Sequence, residues 1–162
     1  MKCLCFSDSH GESMFMRRAL SMHRDCEVVF FLGDGLSDLK EIMPEFPNIM
    51  FYSVRGNCDF SSIHSDTQKT DFVMLMGKKI AITHGDLYGA KGGYGGLVAL
   101  GIKNECDLVL FGHTHTPYEG YDSENELYLF NPGSISSSYS GGSFGVVTLT
   151  DKDILLSHGR IS

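Results

Sequence analysis

Lys2-Cys3-Leu4-Cys5-Phe6-Ser7-Asp8-Ser9-His10-Gly11 is an apolar run that stops at polar residues, and the same event recurs four more times along the chain. Residues 2–7 read as a buried strand that delivers Asp8-Ser9-His10-Gly11 at its carboxyl end. Residues 27–32 end in the same way at Gly33-Asp34-Gly35, and residues 49–54 end at Arg55-Gly56-Asn57-Cys58-Asp59. Residues 79–83 lead into His84-Gly85-Asp86, and residues 107–111 lead into Gly112-His113-Thr114-His115. Helical segments fill the gaps: residues 12–22, residues 36–45 closed by Pro44 and Pro47, and a glycine-interrupted stretch at 95–105. This alternation predicts a βαβαβ unit with a largely parallel sheet in the first half. Residues 72–76 and 79–83 are separated by little more than Gly77-Lys78, which predicts a hairpin. After the fifth loop the pattern is all strand, at 117–121, 126–130, 145–150 and 153–157. The expectation is an α/β protein, a two-sheet β-sandwich flanked by helices, forming one domain over residues 1–162.

Composition narrows what such a domain does. With 162 residues and 42% hydrophobic content, the chain can bury one substantial core. Twenty acidic against 13 basic residues give a net charge of -7, which disfavours a protein that neutralises many nucleic-acid phosphates. A phosphorylated small molecule would need local attraction, and a bound cation is one source of it. The five cysteines contain no C-x-x-C pair and their number is odd, so a reducing, cytoplasmic setting is expected. The N-terminus lacks the features of a secretory signal, and no apolar run reaches the ~20 residues that span a bilayer.

Chemistry concentrates in the five loops. In open α/β sheets, ligands bind beyond the carboxyl ends of the strands. Four of the seven histidines, His10, His84, His113 and His115, fall there. Asp8 with His10, and His113 with His115, stand two apart, a spacing that in extended backbone sends both side chains to one face. Together with Asp34 and Asn57 they form a mixed nitrogen and oxygen donor set, suited to Mn²⁺, Fe²⁺, Ni²⁺ or Zn²⁺. Seven donors exceed what one ion takes and suit two ions sharing a carboxylate. Such a pair, ~3.5–4 Å apart, is a known clamp for in-line displacement at phosphorus, with a shared hydroxide as nucleophile. Taken alone, Asp8-Ser9-His10 reads equally as a turn and helix cap, and Gly33-Asp34-Gly35 as a plain turn. The recurrence across five strand ends favours the metal reading.

In this order and at these intervals, Asp8-x-His10, Gly33-Asp34, Gly56-Asn57, His84-Gly85 and Gly112-His113-x-His115 resemble the calcineurin-like metallophosphoesterase superfamily. The resemblance is strongest to its small YfcE-like phosphodiesterase branch, which shares the turn Asn131-Pro132-Gly133-Ser134. It implies α/β/β/α layers and a hydrolase using two divalent ions, manganese first and nickel, iron or zinc as alternatives. It also implies that one ion takes Asp8, His10, Asp34 and His115, and the other takes Asp34, Asn57, His84 and His113. Asp34, Asn57, Cys58 and His84 are then the implied catalytic positions. One position departs from many members: Cys58 stands where they carry a histidine that protonates the leaving alkoxide, which favours diesters with good leaving groups. The same fold also implies an alternative, a non-catalytic protein-binding scaffold like the retromer subunit Vps29, and a homo-oligomer is compatible with the family.

Residues around the motifs have plainer readings. Cys58 reads as an inert small side chain rather than a nucleophile, and Asp59 as a cap or support. Arg55 reads as a strand-end anchor, with a phosphate contact as the other possibility. His64 is expected to be solvated, residues 74–76 to be core, and the glycine-rich 88–96 to be a flexible rim, since it lacks G-x-x-x-x-G-K-[ST].

Overall fold

The computed structural model describes residues 1–136, 138 and 141–162. Among these, ten strands form two five-stranded mixed sheets. The first orders as β10-β9-β1-β2-β3, from β1 (Lys2–Phe6), β2 (Val28–Phe31), β3 (Met50–Ser53), β9 (Gly142–Leu149) and β10 (Ile154–Ile161). The second orders as β4-β5-β6-β8-β7, from β4 (Thr70–Leu75), β5 (Lys78–Thr83), β6 (Leu108–Leu110), β7 (Tyr118–Asp122) and β8 (Leu127–Asn131). Strands β1, β2 and β3 pair in parallel, as do β5, β6 and β8. Consequently the carboxyl ends of both parallel sets can open onto one crevice.

Unbroken apolar runs arise because the central strands are covered on both faces. In β1, Cys3 and Cys5 enter the core between the sheets while Leu4 and Phe6 face the helices. Val28 and Phe30 against Val29 and Phe31 repeat that division in β2. Helices α1 (Ser13–Met22) and α2 (Leu36–Ile42) cover the first sheet through Met16, Ala19, Leu20, Leu36, Leu39 and Ile42. A single turn, α3 (Ser61–His64), lies before β4, and α4 (Gly95–Lys103) covers the second sheet through Leu97 and Leu100. The resulting order is helix, sheet, sheet, helix. No helix among the described residues is long and apolar enough to cross a membrane.

Several local expectations change. The helix expected at 36–45 ends at Ile42 and continues as a 3₁₀ turn, Met43–Glu45, because Pro44 has no N–H for the α-helical ladder. Strands β9 and β10 run eight residues each: β9 begins three residues earlier than the apolar pattern suggested, at Gly142, and β10 ends four residues later, at Ile161. Gly142 pairs with Ile161 and Gly145 with His158, residues that carry little alternating signal. Met74 is 63% exposed, not core: β4 is an edge strand and only Val73 is buried within it. The β4–β5 hairpin turns through Met76 and Gly77, both at positive φ. Residues 86–92 form two short 3₁₀ turns, Asp86–Tyr88 and Ala90–Gly92.

Candidate metal centre

The loops after β1, β2, β3, β5 and β6 meet at one edge of the sandwich. Within them, Asp8, His10, Asp34, His113 and His115 all adopt left-handed backbone, with φ between 47° and 68°. The expected extended geometry of the i, i+2 pairs is therefore wrong, and the pairs converge through kinks instead. Left-handed backbone costs an L-residue about 1–2 kcal/mol, and such strain persists only where the surroundings over-determine it. Close packing supplies that constraint: a Cβ on Gly56 would overlap Asp34 Oδ1, and one on Gly112 would overlap Ser7 Oγ.

Asp8 is fully buried and its two oxygens are treated differently. Oδ2 accepts from Ser7 Oγ at 2.5 Å and from the His113 backbone N–H at 3.1 Å. Oδ1 has no hydrogen-bond partner. It faces Nε2 of His115 at 3.1 Å, of His10 at 3.7 Å and of His84 at 3.9 Å. Burying an unsatisfied carboxylate oxygen is costly, and so is pointing imidazole lone pairs at it. A cation among these atoms removes both costs.

His84 is fixed by its other nitrogen, since Nδ1 lies 2.7 Å from the Leu32 carbonyl and donates to it. Its Nε2 then lies 3.2 Å from Asp34 Oδ2 and 3.2 Å from His113 Nδ1. His10 Nε2 and His115 Nε2 likewise approach to 3.2 Å. Burial pushes the Asp34 carboxyl up, but the His84 hydrogen bond and charge, with the Cys58 N–H donated at 2.7 Å, bring it down to about 2. Burial opposes a charge on His84, yet Asp34 and Asp8 hold its pKa above the ordinary value. In the absence of a cation, a proton on His84 takes over part of that role. His113 titrates lower than usual, through burial and then the charge of His84.

Asp8, His10 and His115 place donor atoms within 4.8 Å of one another, as do Asp8, Asp34 and His84, and His10, Asp34 and Cys58. Asn57 lies at the margin, exposed, with its amide nitrogen 3.5 Å from Cys58 Sγ. Cys58 is exposed, and burial together with the Asp34, Asp59 and Asp8 charges pushes its thiol to about 11. It is therefore protonated at neutral pH and a poor nucleophile.

The loops are held by side chains that carry little signal of their own. Asp59 Oδ2 accepts from the N–H groups of Asp34 at 2.7 Å and Gly56 at 2.9 Å, and Oδ1 from Gly35 and Leu36, both at 2.9 Å. Its expected capping role thus extends across two loops and the start of α2. Asp38 Oδ2 accepts from Ser9 Oγ at 2.5 Å and the Gly11 N–H at 2.9 Å. Asn131 Nδ2 donates to the Gly112 carbonyl and to Thr114 Oγ1, both at 3.0 Å, and Ser134 Oγ donates to the Asp8 carbonyl at 2.8 Å. The polar turn after β8, Asn131-Pro132-Gly133-Ser134, was the available signal for these supports. His64 is 4% exposed rather than solvated, contacting Ser37 Oγ at 3.2 Å and Lys40 Nζ at 3.3 Å, which ties α3 to α2.

Two five-stranded sheets that bring imidazoles, carboxylates and one unsatisfied carboxylate oxygen to their common edge have the architecture of a metallophosphoesterase. Residues 1–154 match the calcineurin-like phosphoesterase superfamily domain, and the chain belongs to that superfamily. It is 29% identical to phosphodiesterase YfcE of Escherichia coli K12, over 96% of this chain and 90% of that protein. A conserved protein of Streptococcus pneumoniae TIGR4, described as a predicted phosphoesterase, shares the fold with TM-score 0.80 and 24% identity, over 98% of this chain and 88% of its own. Vps29 of Entamoeba histolytica, solved with Zn²⁺, shares it with TM-score 0.76 and 18% identity, over 99% and 98%.

Proposed function

We propose that the protein is a dinuclear metal-dependent phosphodiesterase acting on phosphorylated small molecules. The observation that carries the proposal is Asp8 Oδ1: buried, without a hydrogen-bond partner, and faced by Nε2 of His10, His84 and His115. In this reading Asp8, His10, Asp34 and His115 hold one ion, and Asp34, Asn57, His84 and His113 hold the other, with Mn²⁺ as the preferred metal. Two such ions would supply Lewis acidity toward the phosphoryl oxygens and a strong nucleophile at neutral pH. The chain's own contribution is positional. Leu32 fixes the His84 ring, Ser7 and the His113 N–H turn Oδ1 of Asp8 inward, and Asp59 holds the Asp34 loop against the Asn57 loop. The protonated thiol of Cys58 offers weak assistance to a departing alkoxide, so diesters with good leaving groups are favoured.

A scaffold role on the same fold is the competing reading, and neither fold nor metal binding decides it, since Vps29 has been solved with Zn²⁺. Turnover decides it. The purified protein should hydrolyse bis-p-nitrophenyl phosphate in Mn²⁺ and lose that activity on chelation. Asp34→Asn should lower the rate by more than the ~10–100-fold that loss of an outer-sphere partner costs. Absence of hydrolysis with Mn²⁺, Ni²⁺, Fe²⁺ and Zn²⁺ would remove the enzyme reading and leave the scaffold.

A further inference from the structure

Arg55 follows β3, and its backbone N–H donates to the Gln68 carbonyl at 2.8 Å, as a strand-end anchor should. Its side chain has no such use. Nε is buried without a partner, and among the described residues the guanidinium makes no ion pair. A buried unpaired donor on a permanent cation calls for a partner, a water or an anion. Arg55 lines a cavity of about 340 Å³ together with Asn57, Lys69 and Phe60. Asp59 also lines this cavity, but both of its oxygens are occupied by backbone N–H groups. Lys69 reaches Asp86 at 3.2 Å with its side chain 34% exposed, so its ammonium remains open to a second anion.

We propose that Arg55 and Lys69 form a subsite for a second, non-scissile phosphate, beside Asn57, so that the favoured substrate is a phosphodiester bearing a terminal phosphate. The substrate assignment rests on the phosphodiesterase reading; the anion site is also readable by binding alone. Chemistry selects phosphate in two ways. A guanidinium fork matches phosphate oxygens in geometry, and a chain of net charge -7 repels a dianion wherever local cations do not compensate. Phe60, 72% exposed on the same cavity, adds a flat apolar face suited to a nucleobase. A nucleotide diester with a good leaving group and a second, terminal phosphate combines these features.

The test compares the 5′-(p-nitrophenyl phosphate) diester of thymidine with its 3′-phosphorylated counterpart in the metal-loaded enzyme, so that both carry the good leaving group the site favours. The ratio of their kcat/KM values is taken within each variant, so that general losses cancel. Wild type should prefer the phosphorylated form by about tenfold or more, the worth of one charge-assisted hydrogen bond. The ratio should fall toward 1 in Arg55→Gln and in Lys69→Gln, and the half-buried Lys69 covers the case in which the arginine variant does not fold. In ¹⁵N-labelled protein, inorganic phosphate should shift the Arg55 Nε–H resonance saturably, the signal being identified by its loss in Arg55→Gln. Equal hydrolysis of both diesters with an unmoved Arg55 signal would overturn the subsite and leave the phosphodiesterase standing. Hydrolysis of neither diester, with a saturable shift, would sustain the anion site and remove the phosphodiesterase; a flat titration as well would overturn both.

Discussion

Asp59→Asn is the most informative single change, because it preserves shape while removing charge at the junction of two loops. Asp59 accepts four backbone N–H groups, two on each oxygen, from Asp34, Gly35, Leu36 and Gly56. An asparagine retains one oxygen, so two of the four bonds survive in neutral form, and the other two N–H groups face an amide NH₂. At about 1.5–3 kcal/mol for each charge-assisted bond lost, the expected destabilisation is about 3–6 kcal/mol, a large share of the ~5–15 kcal/mol typical of a folded domain. For a chain of this size that corresponds to a fall in Tm of roughly 10–20 °C. Urea denaturation followed by circular dichroism measures it, with the slope unchanged if the transition remains two-state. The same substitution frees the Asp34 and Asn57 loops from each other, so affinity for divalent metal should fall by about 10–100-fold. A loss below about 1 kcal/mol, or a large loss of stability with metal affinity intact, would refute the claim that Asp59 joins the loops into one site.

Other outcomes follow from the same geometry. In the metal-free protein, Asp34 titrates near about 2, below its ordinary 3.8, so its contact with His84 stabilises the fold above roughly pH 4 and is lost as pH falls through about 2. His84 has a raised pKa, so its contribution is complete below the ordinary 6.5 and is lost as pH rises through the folded value. Stability of the metal-free protein should therefore be greater near pH 5.5 than at pH 2 or pH 9, and a flat profile would contradict this. Cys58 is the exposed cysteine, and a pKa of about 11 against 9.0 leaves roughly a hundredfold less thiolate at pH 8. Alkylation of the native, metal-free protein by iodoacetamide should be slower than that of a free thiol by about tenfold, since a more basic thiolate is more nucleophilic and regains part of the hundredfold; labelling at the free-thiol rate would show the nearby carboxylates do not act on it. Cys58→His should raise turnover of poor-leaving-group phosphates within the ~10²–10⁴-fold range of general-acid catalysis, and an unchanged dependence of rate on leaving-group pKa would sink that expectation.

Much of the architecture was written locally. The runs that became β1, β2, β5 and β6 are apolar on both faces, and only strands covered on both sides require that pattern, so the layered α/β form followed. Edge strands were harder to read. Met74 belongs to an apolar stretch, yet it faces solvent because it lies on the face of the edge strand β4 opposite the one that buries Val73 in the core. The extent of β9 and β10 was hidden because residues such as Gly142, Ser143 and His158 are extended by pairing with Ile161, Arg160 and Gly145 on the neighbouring strand rather than by preference. His64 illustrates the converse: a polar loop sequence gives no warning that Ser37 and Lys40 will bury it.

For the site, the sequence alone determined which chemical groups were available and that each sits just beyond a strand, since donor type and the end of an apolar run are local properties. Tertiary structure decided how they meet. Left-handed kinks at Asp8, His10, Asp34, His113 and His115 replaced the extended geometry that their spacing suggested, and such strain is tolerated only when distant segments lock it in place. Whether Asp8 presents a satisfied or an unsatisfied oxygen depends on Ser7 and on a backbone N–H 105 residues away. The unpaired charge of Arg55 likewise exists only after the neighbouring carboxylates have found other partners. Contacts between segments far apart in the chain depend on how the sheets pack, and no local pattern of residues encodes them.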